Sequence, residues 1–248
     1  MTQKAIVLPY VDPEHPVFPD PASALTSPDG LLAFGGDLEP RTLLSAYNRG
    51  IFPWYDDNQP VLWWSPSVRA VLLPGREHIS RSMKKCFRQH RFRFSTDSAF
   101  ATVIASCAAP RQDSEGTWIT DDMVAAYRRL NAMGYCHSVE CWRDGRLVGG
   151  LYGVQLGQLF CGESMFSLEP NASKAAFIVL SQTLADAGLA LIDCQIMNPH
   201  LGSLGVKTMT RSEFLARIPL YTGHNIDWPD SNDFQATSDK LGQDTSRN

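Results

Sequence analysis

The spacing of apolar residues in the first hundred positions predicts an extended segment followed by short helices and strands. Apolar residues three and four positions apart predict helices that begin at Pro40, run from Ser80 to about Gln89, and run from Asp97 through Cys107. Four prolines among the first twenty residues exclude a helix there and predict an extended arm. Short apolar runs predict strands at 61–64, 69–73 and 91–95.

The second half of the chain shows a clearer order. A helix that begins at Thr120 is followed by three apolar runs separated by tight turns, which predicts an antiparallel meander. A long helix, a very apolar strand and another helix come next, the last opened by Thr210 and Glu213 at capping-box spacing. The predicted bounds are 136–143, 146–155 and 158–166 for the meander, 171–187 for the long helix and 189–197 for the apolar strand.

This order of elements resembles the latter part of the acyltransferase fold of the GNAT superfamily. In that fold the strands before and after the long helix lie parallel and then separate, and their gap is the acyl-donor site. We therefore expect an α/β (α+β) protein with a small N-terminal α/β lobe at 1–97, containing the extended arm and a basic helix. A GNAT-like catalytic domain with a mixed sheet is expected at 98–223. The polar residues 224–248, with few apolar side chains, predict a disordered tail.

Composition and charge narrow the class of protein. With 44% hydrophobic and 19% charged residues and no apolar stretch of membrane length, the chain is expected to be a cytoplasmic enzyme with no membrane partner. The net charge of -4 argues against an overall cationic nucleic-acid binder, yet the segment Arg69–Arg93 holds eight Lys or Arg against one Glu. Nucleic-acid contact is therefore expected locally, in this segment.

Cysteine and histidine spacing gives no metal-ligand motif. The six cysteines contain no Cys-x-x-Cys pair and lie in apolar settings, so they are expected to be reduced core residues. The six histidines have no neighbours that suggest a catalytic triad. We expect no metal, and we assign the histidines no chemistry.

Polar residues occur on both strands that border the predicted gap. Glu163 lies on the strand before the long helix, and Asp193 and Gln195 lie on the strand after it. An unpaired carboxylate at the apolar position of Glu163 would be costly, so Glu163 is expected to have a cationic partner.

The turn between the first of these strands and the long helix argues against coenzyme A as the donor. A CoA enzyme of this fold needs glycines there, so that backbone N–H groups can hold the pyrophosphate. Residues 167–172 contain no glycine, but do contain Glu169 and Pro170. We therefore expect no cofactor and a different activated acyl donor.

Six motifs resemble those of the leucyl/phenylalanyl-tRNA-protein transferase family. The likeness runs in order from about Phe18 to Ile218. The motifs are Gly30–Leu38 (GLLAFGGDL), Gly50–Trp54 (GIFPW), Trp63–Pro66 (WWSP), Gly116–Thr120 (GTWIT), Phe160–Ser167 (FCGESMFS) and Leu191–Gln195 (LIDCQ). This resemblance implies transfer of Leu or Phe, and less readily Met, from charged tRNA to proteins that begin with Arg or Lys, which marks them for degradation.

The resemblance also implies roles for the polar residues at the gap. Asp193 would orient or activate the attacking amine, as a base or as an electrostatic partner, and Gln195 would hydrogen-bond the reacting groups. Alternatively, Asp193 would only hold a loop. Glu163 would contact the acceptor or the aminoacyl amine, or else pair with an internal Arg.

The remaining candidates would bind the donor. Trp54 and Trp118 would stack on the terminal adenosine of tRNA, or fill the core. An apolar slot for the aminoacyl side chain is expected at Leu151, Phe160 and Met165. The exposed face of the basic helix would contact the tRNA backbone through Arg81, Lys84, Lys85 and Arg88.

Two other functions remain open from the sequence. An N-acetyltransferase that uses acetyl-CoA is favoured by the order of elements and opposed by the missing glycine turn. A non-catalytic RNA-binding adaptor is favoured by the basic helix and the aromatic residues, but it leaves Glu163 and Asp193 without a role.

Overall fold

The structure is a computed structural model that describes residues 7–109 and 119–244. These residues form a mixed α/β fold with two sheets. The strands are β1 (Tyr10–Val11), β2 (Leu31–Gly35), β3 (Phe52–Pro53), β4 (Leu62–Trp64), β5 (Val68–Leu72), β6 (Arg93–Thr96), β7 (Cys136–Arg143), β8 (Arg146–Leu156), β9 (Leu159–Ser167), β10 (Leu191–Gln195) and β11 (Lys207–Thr210). The helices are α1 (Pro40–Tyr47), α2 (Arg81–Arg88), α3 (Phe100–Ala108), α4 (Asp121–Ala132), α5 (Ala172–Asp186), α6 (Pro199–Ser203), α7 (Arg211–Thr222) and α8 (Ser231–Asp244).

The large sheet has seven strands in the order β11-β5-β10-β9-β8-β7-β6. Strands β7, β8 and β9 form the predicted antiparallel meander, and β10 lies parallel to β9 after the crossover through α5. Pairing of β9 with β10 runs from Leu159 opposite Leu191 to Cys161 opposite Asp193. Beyond that point β9 continues to Ser167 without β10, so the predicted separation of the two parallel strands is confirmed.

Glycines allow close packing around the meander. A Cβ added at Gly149 would lie 2.6 Å from the Cβ of Ala172, and one at Gly150 would lie 2.7 Å from the carbonyl oxygen of Val139. Both distances are shorter than real Cβ contacts, so a side chain at either position would force the start of α5 or the neighbouring strand away.

The expected boundary at residue 97 does not separate two lobes. The small sheet, in the order β1-β2-β4-β3, uses residues 10–64, but β5 and β6 also precede residue 97 and are strands of the large sheet. Both were predicted as strands from their apolar runs. Their partners, β10 and β7, are distant in sequence, and local periodicity carries no information about such pairing.

The large sheet is covered on both faces. One face packs against the small sheet and against α1, α3, α4 and α7, and we call it the first face. The other, the second face, packs against α2, α5, α6 and α8. The apolar cluster on the first face includes residues of both sheets, such as Trp63 and Leu191, so the small sheet is part of the same folded unit.

The expected disordered tail was wrong for residues 231–244, which form α8. The side chain of Phe234 is completely buried against the second face, and Trp228 stacks on His137 with a ring separation of 4.2 Å. The buried face of α8 consists mostly of small residues, so its composition resembles that of a solvated segment. A local sequence signal for the start of this helix was present in Asp230 and Asp233, which are three residues apart. The Asp230 carboxylate accepts from the N–H of Asp233, and the Asp233 carboxylate accepts from the N–H of Asp230.

The predicted capping box at Thr210 and Glu213 is present at the start of α7. Strand β11, which precedes it, was missed, because four mostly exposed residues carry little periodicity. Within the described ranges, none of the helices has the length and apolar content that crossing a membrane requires.

Candidate active site

Asp193 forms a buried ion pair with Arg69 across the neighbouring strands β10 and β5. The Arg69 Nε lies 2.9 Å from Asp193 Oδ1, and Nη2 lies 2.7 Å from Oδ2, which is a two-pronged geometry. Their exposed fractions are 1% for Arg69 and 0% for Asp193. Because both carboxylate oxygens accept from the guanidinium, the negative charge of Asp193 is paired within the protein.

Arg69 is held by more than the carboxylate. Its Nη1 donates to the carbonyl oxygen of Gly50 at 3.2 Å, and its guanidinium lies over the rings of Phe52 and Phe214 at 4.8 and 4.7 Å. From the sequence, Arg69 is expected only to belong to the basic segment Arg69–Arg93. The signal that could have found it is a single cation in the apolar strand Val68–Leu72, where burial requires an anionic partner.

The described partners of Glu163 are neutral, so the expected pairing with an internal Arg was wrong, and contact with the acceptor or aminoacyl amine stays a prediction. The Tyr127 hydroxyl donates to Glu163 Oε2 at 2.8 Å, and the Gln195 side-chain amide donates to Oε1 at 2.8 Å. A further hydroxyl, that of Tyr47, lies 2.6 Å from the Tyr127 hydroxyl. Burial raises the pKa of Glu163 to about 7, although these hydrogen bonds act in the opposite direction.

Gln195 connects the two carboxylates. Its backbone N–H donates to Asp193 Oδ1 at 2.9 Å, while its side chain reaches Glu163. The residue has φ +60°, a left-handed conformation that costs about 1–3 kcal/mol outside glycine, and the pairing of β10 with β5 is irregular at this point. The hydrogen bond to Asp193 stabilises this conformation. Glu163, Asp193 and Gln195 therefore form one connected polar centre where β9 and β10 separate.

The two tryptophan candidates differ in what the structure describes. Trp54 follows β3 and is 40% exposed, with its carbonyl oxygen accepting from Trp64 Nε1 at 2.7 Å and its ring 5.5 Å from the Trp64 ring. It is therefore available as a stacking surface. Trp118 lies outside the described residues. Trp63 is completely buried.

The three candidates for the aminoacyl slot lie on the second face. Leu151 and Phe160 are buried in its apolar cluster, and Met165 is partly buried against it. The Tyr127 that holds Glu163 belongs to the cluster on the first face. The structure thus places these three apolar residues on one side of the sheet and the hydrogen-bond partners of Glu163 on the other.

The basic helix α2 has the predicted orientation. Arg81, Lys84, Lys85 and Arg88 are exposed, whereas Met83 and Cys86 are buried against the second face. The side-chain hydroxyl of Ser80 caps the first turn. The four cations therefore form a continuous positive surface on this helix.

The loop before α5 has an anionic side chain where a CoA enzyme needs backbone N–H groups. The Glu169 carboxylate accepts from Arg143 at 2.7 Å and from Arg91 at 3.1 Å, and these hydrogen bonds lower its pKa, that from Arg143 most strongly. Asn171 precedes the helix with φ 74°. A pyrophosphate placed here would meet the Glu169 carboxylate, so the loop does not fit CoA.

Fold and site together indicate the class of an acyltransferase with a mixed α/β fold, whose polar centre lies where two parallel strands separate. Comparison with protein families gives the particular group. Residues 71–219 match the family model for leucyl/phenylalanyl-tRNA protein transferase, and residues 36–67 match that for its N-terminal domain. The chain belongs to the leucyl/phenylalanyl-tRNA protein transferase family, and it is an aminoacyltransferase.

Curated relatives agree over most of the chain. A leucyl/phenylalanyl-tRNA–protein transferase of Psychromonas ingrahamii is 51% identical over 221 residues, which cover 89% of this chain and 93% of the relative. One of Shewanella baltica strain OS155 is 50% identical over 220 residues with the same coverage. Among solved structures, L-PGS from Bacillus licheniformis has a TM-score of 0.39 and 11% identity, covering 67% of this chain and 53% of its own. That likeness is too low to indicate a substrate.

We expect Asp193→Ala to lower the free energy of unfolding by about 3–5 kcal/mol, because it leaves the buried Arg69 cation without its partner. Chemical denaturation measures this loss. The control is Asp186→Asn, whose parent carboxylate is 71% exposed and lies 3.9 Å from Lys240, and which should change stability by less than about 1 kcal/mol. Equal stabilities of Asp193→Ala and the parent would contradict the structural role of the pair.

We expect Glu163→Gln to change the pH dependence of stability. The folded protein keeps the Glu163 proton up to a pKa of about 7, whereas the unfolded chain loses it near the ordinary value of 4.5, so this group lowers the free energy of unfolding as the pH rises between those values. From about pH 4 to about pH 8, the parent should lose up to about 3 kcal/mol relative to the variant. Denaturation of both proteins at both pH values measures the difference. If the difference in stability between parent and variant is the same at both pH values, the raised pKa of Glu163 is contradicted. The control is Glu14→Gln, at an exposed position.

Proposed function

We propose that this chain transfers leucine or phenylalanine, and less readily methionine, from charged tRNA to proteins whose first residue is Arg or Lys, which marks the products for degradation. The observation that carries the proposal is the connected centre of Glu163, Gln195 and Asp193 at the strand gap. Because charged tRNA is a substrate of the proposed reaction, the proposed location of the protein is the cytoplasm. The relatives' names support the donor and the type of acceptor.

The proposed reaction requires that the acceptor amine be positioned at the aminoacyl ester and that one proton move from the amine to the leaving ribose oxygen. The amine nitrogen of the acceptor attacks the ester carbonyl carbon, the new N–C bond forms, and the C–O bond to the ribose breaks. Because the pKa of Glu163 is about 7, its carboxylate is partly ionised near neutral pH and accepts a proton from the attacking amine. Glu163 then passes this proton to the ribose oxygen as it leaves, so the carboxylate is regenerated. No external activation is needed, since the ester is already activated.

Gln195 and Asp193 have different roles in this mechanism. The Gln195 amide lies next to Glu163 and hydrogen-bonds the reacting groups. Asp193 acts as a positioning residue and not as a base, because it is completely buried, its charge is paired with the Arg69 cation, and its Oδ1 holds the Gln195 backbone, whereas the described partners of Glu163 are neutral. This assignment favours the electrostatic alternative for Asp193.

The donor would place its aminoacyl ester at the strand gap and its backbone on α2. Of the three candidates for the aminoacyl slot, Leu151 and Phe160 are buried in the apolar cluster of the second face and Met165 is partly buried, so the proposed slot depends on Met165. Met165 is unbranched and partly buried, which suits a slot that accepts side chains of different shape. Trp54, and Trp118 by resemblance, would stack on the terminal adenosine.

A direct test offers the purified protein leucyl-tRNA and a peptide that begins with Arg, and follows the peptide by mass spectrometry. We expect the peptide to gain one leucyl residue at its N-terminus, and Gln195→Ala to lower turnover by roughly ten-fold or more because it removes a hydrogen bond to the reacting groups. An N-acetylated peptide is the control for the acceptor. No gain in mass with Arg- or Lys-initiated peptides, or a gain of acetyl from acetyl-CoA, would contradict the proposal.

Exchange of Arg81, Lys84 and Lys85 for Glu should raise the KM for charged tRNA strongly while sparing reaction with a minimal aminoacyl-adenosine donor. These cations are proposed to contact tRNA phosphates, and each lost contact should make the salt dependence of binding shallower by about one unit of slope. A control variant with Lys207→Glu and Arg217→Glu changes two exposed cations on β11 and α7. Equal KM values and salt slopes for the triple variant and the parent would place the tRNA elsewhere.

A further inference from the structure

The C-terminal helix α8 covers the outer edge of the large sheet. Strand β6 is the last strand on that side, and α8 supplies side chains where a further strand would supply backbone groups. The Phe94 N–H donates to Gln235 Oε1 at 3.0 Å, and the Thr96 N–H donates to Ser231 Oγ at 3.0 Å. Two backbone donors of the edge strand are therefore satisfied by α8, which fixes the helix along β6.

The same helix packs along the basic helix α2. Its buried positions recur at helical spacing and are Phe234, Thr237, Ser238 and Gly242, with Leu241 partly buried. Among the described elements, α8 is the main packing partner of α2. The approach is close at Gly242, where an added Cβ would lie 2.9 Å from the carbonyl oxygen of Phe87 on α2.

A third contact lies in the turn between α2 and β6. The Asp239 carboxylate is 3.5 Å from the His90 Nδ1, and His90 has a left-handed φ of 44° at this turn. The contacts of α8 thus cover α2, the turn after it and the following strand. These three consecutive parts of the chain rest on one helix.

Helix α2 needs such support. It has eight residues, and isolated helices of that length are not stable in water. It also has four cations and no carboxylate, so like charges three and four positions apart repel each other. Its position therefore depends on what its buried residues, Met83, Cys86 and Phe87, pack against.

We infer that α8 is a positioning element for donor binding: by packing on α2 and β6 it sets where the four cations of the basic helix meet the phosphates of tRNA. The inference rests on the proposed function of α2 and deepens it. The match to the main family model ends at residue 219, so α8 lies outside it.

The test uses the full-length protein with Gly242→Ala. The new methyl group meets the Phe87 carbonyl and should displace α8 from α2 without touching the polar centre. We expect the KM for charged tRNA to rise roughly three- to ten-fold and the salt slope of tRNA binding to become shallower by about one. The kcat, the KM for the acceptor peptide and the rate with a minimal aminoacyl-adenosine donor should stay unchanged. Gln243→Ala, at the neighbouring exposed position, is the matched control.

A second variant and a combination separate positioning from general stability. Phe234→Leu keeps an apolar side chain and should give the same pattern more weakly, which covers the case in which Gly242→Ala does not fold. In a protein that already has Glu at 81, 84 and 85, Gly242→Ala should raise the KM for tRNA no further.

Unchanged KM for tRNA in folded Gly242→Ala and Phe234→Leu would overturn the inference, as would an equal loss with the minimal donor. If the parent protein transfers no amino acid at all, the proposed function fails instead, and the two failures are distinguishable.

Discussion

The ion pair between Arg69 and Asp193 joins parts of the chain that are far apart in sequence. Arg69 extends from β5 to a carboxylate on β10, to the Gly50 carbonyl beside the small sheet, and to the ring of Phe214 on α7. A buried cation needs a paired anion and hydrogen-bond acceptors, so the surrounding elements must lie where they supply the Asp193 carboxylate and the Gly50 carbonyl. The same pairing fixes the direction of β10 just where it leaves β9.

The ion pair also determines the different roles of the residues in the polar centre. Asp193 is occupied by Arg69 and in turn holds the backbone of Gln195 in a left-handed conformation. Gln195 is thereby directed at Glu163, whose partners are neutral and whose pKa burial raises to about 7. One carboxylate is thus held in an ion pair, whereas burial raises the pKa of the other to about 7, and within the described residues its partners are neutral.

Much of the fold could be predicted from local pattern. The meander, the long helix α5 and the capping box at Thr210 all depend on spacings within a few residues, and the structure confirms them. Pairings between distant segments could not be read in this way. The structure therefore corrected the boundary at residue 97 and the tail, where Phe234 is buried by a surface that only the folded sheet provides.

The sequence by itself determined the kind of chemistry: the motifs around Glu163 and Asp193 to Gln195, the basic face of α2, and the turn without glycine before α5 are all local. Only the tertiary structure decided which charges pair. Local pattern left an internal Arg open as the partner of Glu163 and gave Arg69 no partner, whereas the sheet places Arg69 beside Asp193 and gives Glu163 the neutral partners Tyr127 and Gln195. The physical reason is that the energy of a buried charge depends on partners within a few ångströms, and strand order, not sequence distance, sets those partners.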